Sequence, residues 1–245
     1  MRPNGEIYAD PAMIIAHTRS GGTFLATGLS NHPQIFCPRG EPLLRGMEWG
    51  EALGDVSDTE ILDCITSAAL YKIGMCKITY RQVTEKIVEY LRELGAPVLH
   101  LVRENYLRVA VSQIITGRVC SGGLDHKAHS FDVLDAPRVN IDPERVLQRC
   151  ADMDQRVRGM RETLDGLRVL PLTYSQLVGG EGREAQEIKC GDGICDFLGV
   201  DRYPMPVQLR RVNRYSLGAM IENWGEVRRA VKKSQWAMFL DGEGS

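Results

Sequence analysis

The run Ala12-Met13-Ile14-Ile15-Ala16 breaks without a linker into His17-Thr18-Arg19-Ser20-Gly21-Gly22-Thr23-Phe24. Nothing else in the chain limits the fold as strongly. A short apolar run without polar alternation reads as a strand buried on both faces, and such strands belong to parallel sheets covered by helices. Gly22 to Ser30 reads as the helix that follows. The alternation recurs, with strands expected at Lys72 to Ile78, Pro97 to Val102 and Leu167 to Tyr174. Between them lie a helix from about Thr84 to Leu94, closed by Gly95 and stopped by Pro97, and another from Asn105 to Thr116. The second carries Leu107, Ala110, Val111, Ile114 and Ile115 at helical spacing. Pro143 to Leu164 reads as a long helix with Asp142 as its N-cap. The fold class expected is α/β, three layers of α/β/α around a central parallel sheet of about four to five strands.

The 245 residues fit one domain over the whole chain, 1–245. A polar stretch of roughly 117–142 is longer than compact domains leave without a use, and reads as a mobile lid or substrate loop. Gly179 to Gly193 reads as exposed, and Ser216 to Leu240 as a helix bearing Arg228, Arg229, Lys232 and Lys233 on a solvated face. The 30 basic and 32 acidic residues leave a net charge of −2, which excludes a general nucleic-acid binder and makes any anion site local. The 7 cysteines are odd in number and irregular in spacing, so a disulfide framework is not expected and a reducing compartment fits. Met1 to Glu6 holds no apolar signal core, and no run approaches the ~20 apolar residues of a membrane span. Stable membrane insertion is not expected, and the expected location is cytoplasmic.

Chemistry concentrates where the first strand ends. Its turn into a helix gathers backbone N–H groups at the positive end of the helix dipole, which favours an anion. Gly21 and Gly22 allow close backbone approach, Ser20 and Thr23 add hydroxyls, and Arg19 adds a planar guanidinium suited to phosphate or sulfate oxygens. Taken alone, the same residues also fit a plain strand-to-helix turn. A nucleotide-hydrolase loop needs Gly-x-x-x-x-Gly-Lys-Ser/Thr; this chain has neither that lysine nor that spacing, which disfavours magnesium-assisted chemistry on a triphosphate. Arg103 follows the third strand and Ser112 sits further along the next helix. They converge on a second phosphate only if the turn folds Arg103 back; otherwise they are a surface arginine and a serine satisfied within its helix.

Four motifs in order resemble the sulfotransferases that use 3'-phosphoadenosine 5'-phosphosulfate (PAPS), most closely the bacterial carbohydrate branch of trehalose- and Nod-factor-type enzymes. Arg19-Ser20-Gly21-Gly22-Thr23-Phe24-Leu25 is similar to that family's 5'-phosphosulfate loop, with Gly22 where a hydroxyl residue is usual. Leu101-Val102-Arg103-Glu104-Asn105-Tyr106-Leu107, continuing to Ser112, resembles its 3'-phosphate motif. Gly74-Met75-Cys76-Lys77-Ile78 resembles its Gly-x-Lys strand, and Ile221-Glu222-Asn223-Trp224-Gly225-Glu226-Val227 its C-terminal helix. Ser175-Gln176 stands where an acidic pair often follows the fourth-strand tyrosine. The resemblance implies a P-loop-like nucleotide-binding architecture and PAPS as donor co-substrate, bound by Arg19, Ser20, Gly21, Gly22, Thr23, Phe24, Arg103, Ser112 and Arg211.

Sulfonate transfer to an alcohol asks for a base and for cations. Glu41 falls where the carbohydrate branch carries a glutamate proposed as base, although between Gly40 and Pro42 it also reads as a solvated loop carboxylate. Lys77, at the end of the second expected strand, is either a cation for the sulfonate or a lysine leaving the sheet for solvent. His17 reads as packing or orienting the loop, and His100 as a satisfied core histidine. His126 and His129 have metal-like spacing without further ligands to complete a site, so no metal is assigned. The acceptor expected is a small molecule, glycan or lipid. The alternatives are a kinase-like phosphoryl transferase and a non-catalytic nucleotide-binding protein.

Overall fold

The structure is a computed structural model that describes residues 10–37, 71–121, 138–180, 186–207 and 216–240. The chain forms two compact units, residues Met1–Val102 with Met160–Gln208, and residues Arg103–Gly159 with Leu209–Ser245.

The first unit is built on a sheet of 5 strands in the order β2-β3-β1-β4-β5. The strands are β1 (Asp10–Ala16), β2 (Ile35–Phe36), β3 (Ile73–Thr79), β4 (Val98–Val102) and β5 (Val169–Thr173), and every pairing is parallel. Met13, Ile14 and Ile15 of β1 are fully buried, as a strand between two neighbours in a covered sheet must be. Helix α1 (Gly22–Leu29) follows β1, and α2 (Glu85–Glu93) links β3 to β4. Thr84 caps α2 by accepting from the Ile87 N–H, and Gly95 ends it at φ 60°, which glycine adopts without a β-carbon penalty. Met13, Ile15, Cys76, Ile78, Ile87, Leu91, Val98, Met160 and Leu164 pack into one core on that side.

Edge strand β2 has only 2 residues, too few for a sequence signal. His32 holds the turn before it. Its Nε2 lies 2.8 Å from the Asp201 carbonyl, and its Nδ1 accepts from the Gln34 N–H. Gln34 and Asp201 then exchange two more hydrogen bonds, tying the strand to the segment after helix α6 (Gly191–Leu198). The expectation that Gly179 to Gly193 is exposed fails at its C-terminal part: Ile188 is buried and bonded to Met205, and Gly191 already begins α6.

The second unit contains α3 (Tyr106–Ser121), most of α4 (Pro143–Thr163), α7 (Leu217–Met220) and α8 (Trp224–Lys232). Asp142 caps α4 as expected, accepting from the Glu144 N–H at 3.0 Å. The loop expected from 117 begins later, because α3 continues to Ser121; residues 122–137 lie outside those described. The single helix expected from Ser216 is interrupted at Ile221 to Asn223. These residues pair instead with the returning chain, Val139 bonding Met220 and Glu222 while the Asn223 amide both accepts from and donates to Ile141. Tyr106, Trp236 and Phe239 close the core of this unit. Among the described residues no helix is long and apolar enough to cross a membrane.

Candidate functional site

In this sheet β1 lies between β3 and β4, with β2 and β3 on one side of it and β4 and β5 on the other, so the direction in which the chain adds strands reverses beside it. In open parallel sheets the crevice at such a switch point, beyond the carboxyl ends of the strands, is where ligands bind. The loop Thr18–Gly21 occupies that place.

The His17 carbonyl closes the loop, accepting from the Ser20 N–H at 3.2 Å and from the Ser20 hydroxyl at 2.5 Å. Ser20 is wholly buried, so its hydroxyl shapes the loop from within rather than standing outward as a donor. Arg19 sits at φ 68°, a left-handed conformation that costs an L-residue about 1–2 kcal/mol. Gly21 follows at φ 95°, and helix α1 starts at Gly22 with Leu25 N–H bonded to the Gly21 carbonyl. No side chain caps α1 and its first turn holds no acidic residue. The first N–H groups of the helix therefore keep their positive end open toward an anion.

Two contacts explain the paired glycines. A β-carbon on Gly21 would lie 2.7 Å from Cδ2 of Tyr174, the buried aromatic that opens helix α5 (Tyr174–Val178) after β5. A β-carbon on Gly22 would lie 3.1 Å from Ala16 Cβ and 3.2 Å from Lys77 Cδ. Gly22 thus makes room for the lysine stem to pass beneath the loop. Lys77 does not end its strand: β3 runs on to Thr79 and Lys77 is in register with Ile14. Nor does it leave for solvent, being 4% exposed, with its ammonium 3.3 Å from the Thr23 hydroxyl at the start of α1. A buried cation here complements an anion at the helix end.

A second group of side chains stands behind the loop. Ala16 is in register with Thr79, so His17 and Tyr80 emerge at the same level, and their rings meet edge-on at 5.3 Å. The His17 Nδ1 lies 2.8 Å from the Thr18 carbonyl, which only accepts, so that nitrogen carries the proton. The Tyr80 hydroxyl and His100 Nε2 share a 2.6 Å hydrogen bond. Burial lowers the His100 pKa to about 4, with the Arg161 charge adding to the effect, so the ring is neutral near pH 7. The reading of His100 as a satisfied core histidine agrees with this.

The His100 shift makes stability depend on acidity. The folded-state value of about 4 lies below the ordinary 6.5, so between them the unfolded chain binds a proton that the folded chain refuses. Its contribution is fully present above pH 6.5 and is lost as the pH falls toward 4. The shift is worth about 3 kcal/mol. Urea titrations of the wild type and His100→Gln at both ends of that window should differ in pH dependence by roughly 2–3 kcal/mol. Parallel pH profiles would contradict it.

Of the residues expected to bind the donor's second phosphate, Arg103 follows β4 directly and is 9% exposed, which sets aside its reading as a surface arginine. Ser112 is buried within α3, and its carbonyl accepts from the Thr116 hydroxyl. Glu41, Arg211, His126 and His129 lie outside the described residues. Among those described, no group of three or more His, Cys, Asp or Glu is placed to hold a metal ion. Tyr80 and Gln82 were not singled out from sequence; of these only Gln82 left a local signal, as the last residue of a Thr-x-x-Gln capping pattern.

No protein-family model matches the chain, and no curated protein matches its sequence. Among solved structures it resembles the sulfotransferase domain from the curacin biosynthetic pathway, at 16% identity and TM-score 0.48 over 97% of this chain and 98% of that one. It also resembles a sulfotransferase from Alicyclobacillus acidocaldarius, at 12% identity and TM-score 0.49 over 95% and 94% of the two chains. Mouse sulfotransferase SULT7A1, crystallised with PAP, matches at 18% identity and TM-score 0.46 over 78% of this chain and 59% of that one. Likeness at these scores assigns neither substrate nor mechanism.

Proposed function

We propose that residues 1–245 act as one PAPS-dependent sulfotransferase domain, which passes a sulfonate to a hydroxyl of a carbohydrate, glycolipid or small molecule. The observation that carries this is the open, uncapped end of α1 at the sheet's switch point, with the buried Lys77 ammonium beside it. A helix end without acidic residues and with a cation beneath it suits a phosphosulfate better than a neutral ligand.

In this reading the backbone N–H groups from Gly22 onward, with Arg19 and Thr23, hold the 5'-phosphosulfate while Ser20 and Gly21 set the loop and Phe24 continues the helix. Arg103, Ser112 and Arg211 hold the 3'-phosphate. The acceptor oxygen attacks sulfur in line, its proton passes to Glu41, and the bond from sulfur to the phosphate oxygen breaks, leaving 3',5'-phosphoadenosine (PAP). Lys77 offsets charge on the sulfonate and on the departing oxygen. The transfer itself calls on no metal, and the enzyme works on cytoplasmic acceptors.

The test is direct. Purified protein incubated with sulfur-labelled PAPS and a panel of glycans, glycolipids and small alcohols should yield a labelled acceptor, and calorimetry should detect PAP binding without magnesium. Absence of PAP binding would sink the reading. Binding without transfer to any acceptor would favour the non-catalytic nucleotide-binding alternative.

A further inference from the structure

Thr79 ends β3 and caps the single 3₁₀ turn Tyr80–Gln82. Within this capping box the Gln82 side-chain oxygen accepts from the Thr79 N–H at 2.8 Å and from the Thr79 hydroxyl at 2.9 Å. A backbone N–H only donates, so the amide oxygen must occupy this place and the orientation of the carboxamide is fixed. What remains is the amide nitrogen. It is shielded from water and, among the described residues, has no hydrogen-bond partner. Buried donors are nearly always satisfied, and one left over at a site edge calls for an acceptor.

The residue type sharpens the point. A glutamate would complete the same capping box, since Glu and Gln serve equally there. It would leave no buried donor unmet. Glutamine differs from it by the donor alone and by lacking a negative charge. Thr79 is in register with Ala16, so the turn leaves the sheet at the same end as the anion loop. Tyr80, in the same turn, packs on His17 at the root of that loop. Beside an anion a carboxylate would repel; an –NH2 group with both protons uncommitted suits it.

We propose that Gln82 is a further binding residue of this site, its amide nitrogen donating to an oxygen of the sulfonate carried by the donor. The identity of that oxygen rests on the sulfotransferase reading; the unmet donor does not. The group is closed off from water, so binding requires a small displacement of its surroundings, which the new hydrogen bond repays.

Gln82→Glu keeps the oxygen that accepts both cap hydrogen bonds while it replaces the donor with a charged acceptor facing the sulfonate. Affinities for PAPS and for PAP, which lacks the sulfonate, are measured by calorimetry on the full chain, with the melting temperature as a check on folding. The variant should lose about 10-fold or more affinity for PAPS beyond whatever it loses for PAP. As a measurement free of any substitution, the side-chain amide resonances of Gln82 in the wild type should shift with PAPS and not with PAP. Equal losses for both ligands, an unchanged PAPS affinity, or amide resonances indifferent to PAPS would overturn the assignment. A wild type that binds neither nucleotide would instead overturn the sulfotransferase reading itself.

Discussion

Gly21→Ala should sharply weaken PAP binding and lower the melting temperature, because two separate penalties fall on one residue. The backbone stands at φ 95°, where a β-carbon is strained by about 1–3 kcal/mol. The added carbon would also lie 2.7 and 2.9 Å from Cδ2 and Cε2 of Tyr174, below any ordinary contact distance. Tyr174 is buried and anchored at the start of α5, where the Thr173 and Gln176 side chains form a capping box, so the ring cannot simply swing out. Overpacking of this kind costs about 1–3 kcal/mol more. The chain can relieve both penalties by rebuilding the turn, and a rebuilt turn no longer presents the α1 N–H groups to an anion. The expected loss in PAP affinity is therefore about 30-fold or more, each 1.4 kcal/mol being tenfold. Tyr174→Ala in the same background removes the collision and leaves the backbone strain, so it should restore part of the stability. Wild-type affinity in Gly21→Ala would show that the loop does not bind the donor.

The strand at Ala12–Ala16 and its turn were legible because an unbroken apolar run and a pair of glycines each have one cheap conformation. Four strands and the helices between them follow from the same local chemistry, with ends displaced by one or two residues except at the C-terminal end of α3, which runs on to Ser121. What local chemistry does not contain is register. Lys77 reads as a strand end in isolation, and only the pairing of Ile14 with Lys77 places it beneath Gly22. The departure at Gly22 reads only as a missing hydroxyl when the lysine stem is out of view, and as room for that stem when it is in view. The hydrogen bond from Tyr80 to His100 joins residues 20 apart in sequence, across two strands that both neighbour β1, and no periodicity announces it. The break at Ile221–Asn223 has the same origin: the motif is helical in its own propensities, and the returning chain at Val139 and Ile141 takes its hydrogen bonds. Strand β2 went unseen because two residues show no period at all.

Arg103→Ala should separate two nucleotides that differ by one phosphate. Ala16 is in register with Leu101, so β1 and β4 reach the carboxyl edge together, and the chain passes from Val102 straight to Arg103. A guanidinium is always charged and binds phosphate oxygens in pairs, which makes it the residue suited to a second phosphate. Removing a charge-assisted contact to phosphate costs about 1.5–3 kcal/mol, or roughly 10- to 150-fold in affinity. The loss should fall on PAP and scarcely touch adenosine 5'-phosphate, which has no 3'-phosphate to grip. General loosening of the protein would weaken both ligands alike, so the ratio of the two affinities, rather than either alone, carries the result. Arg103→Lys, which keeps the charge but not the paired donors, should fall between the two. If the ratio is unmoved in Arg103→Ala, the second phosphate is held elsewhere, and the pairing of two phosphate sites that favours PAPS over a simpler nucleotide is lost with it.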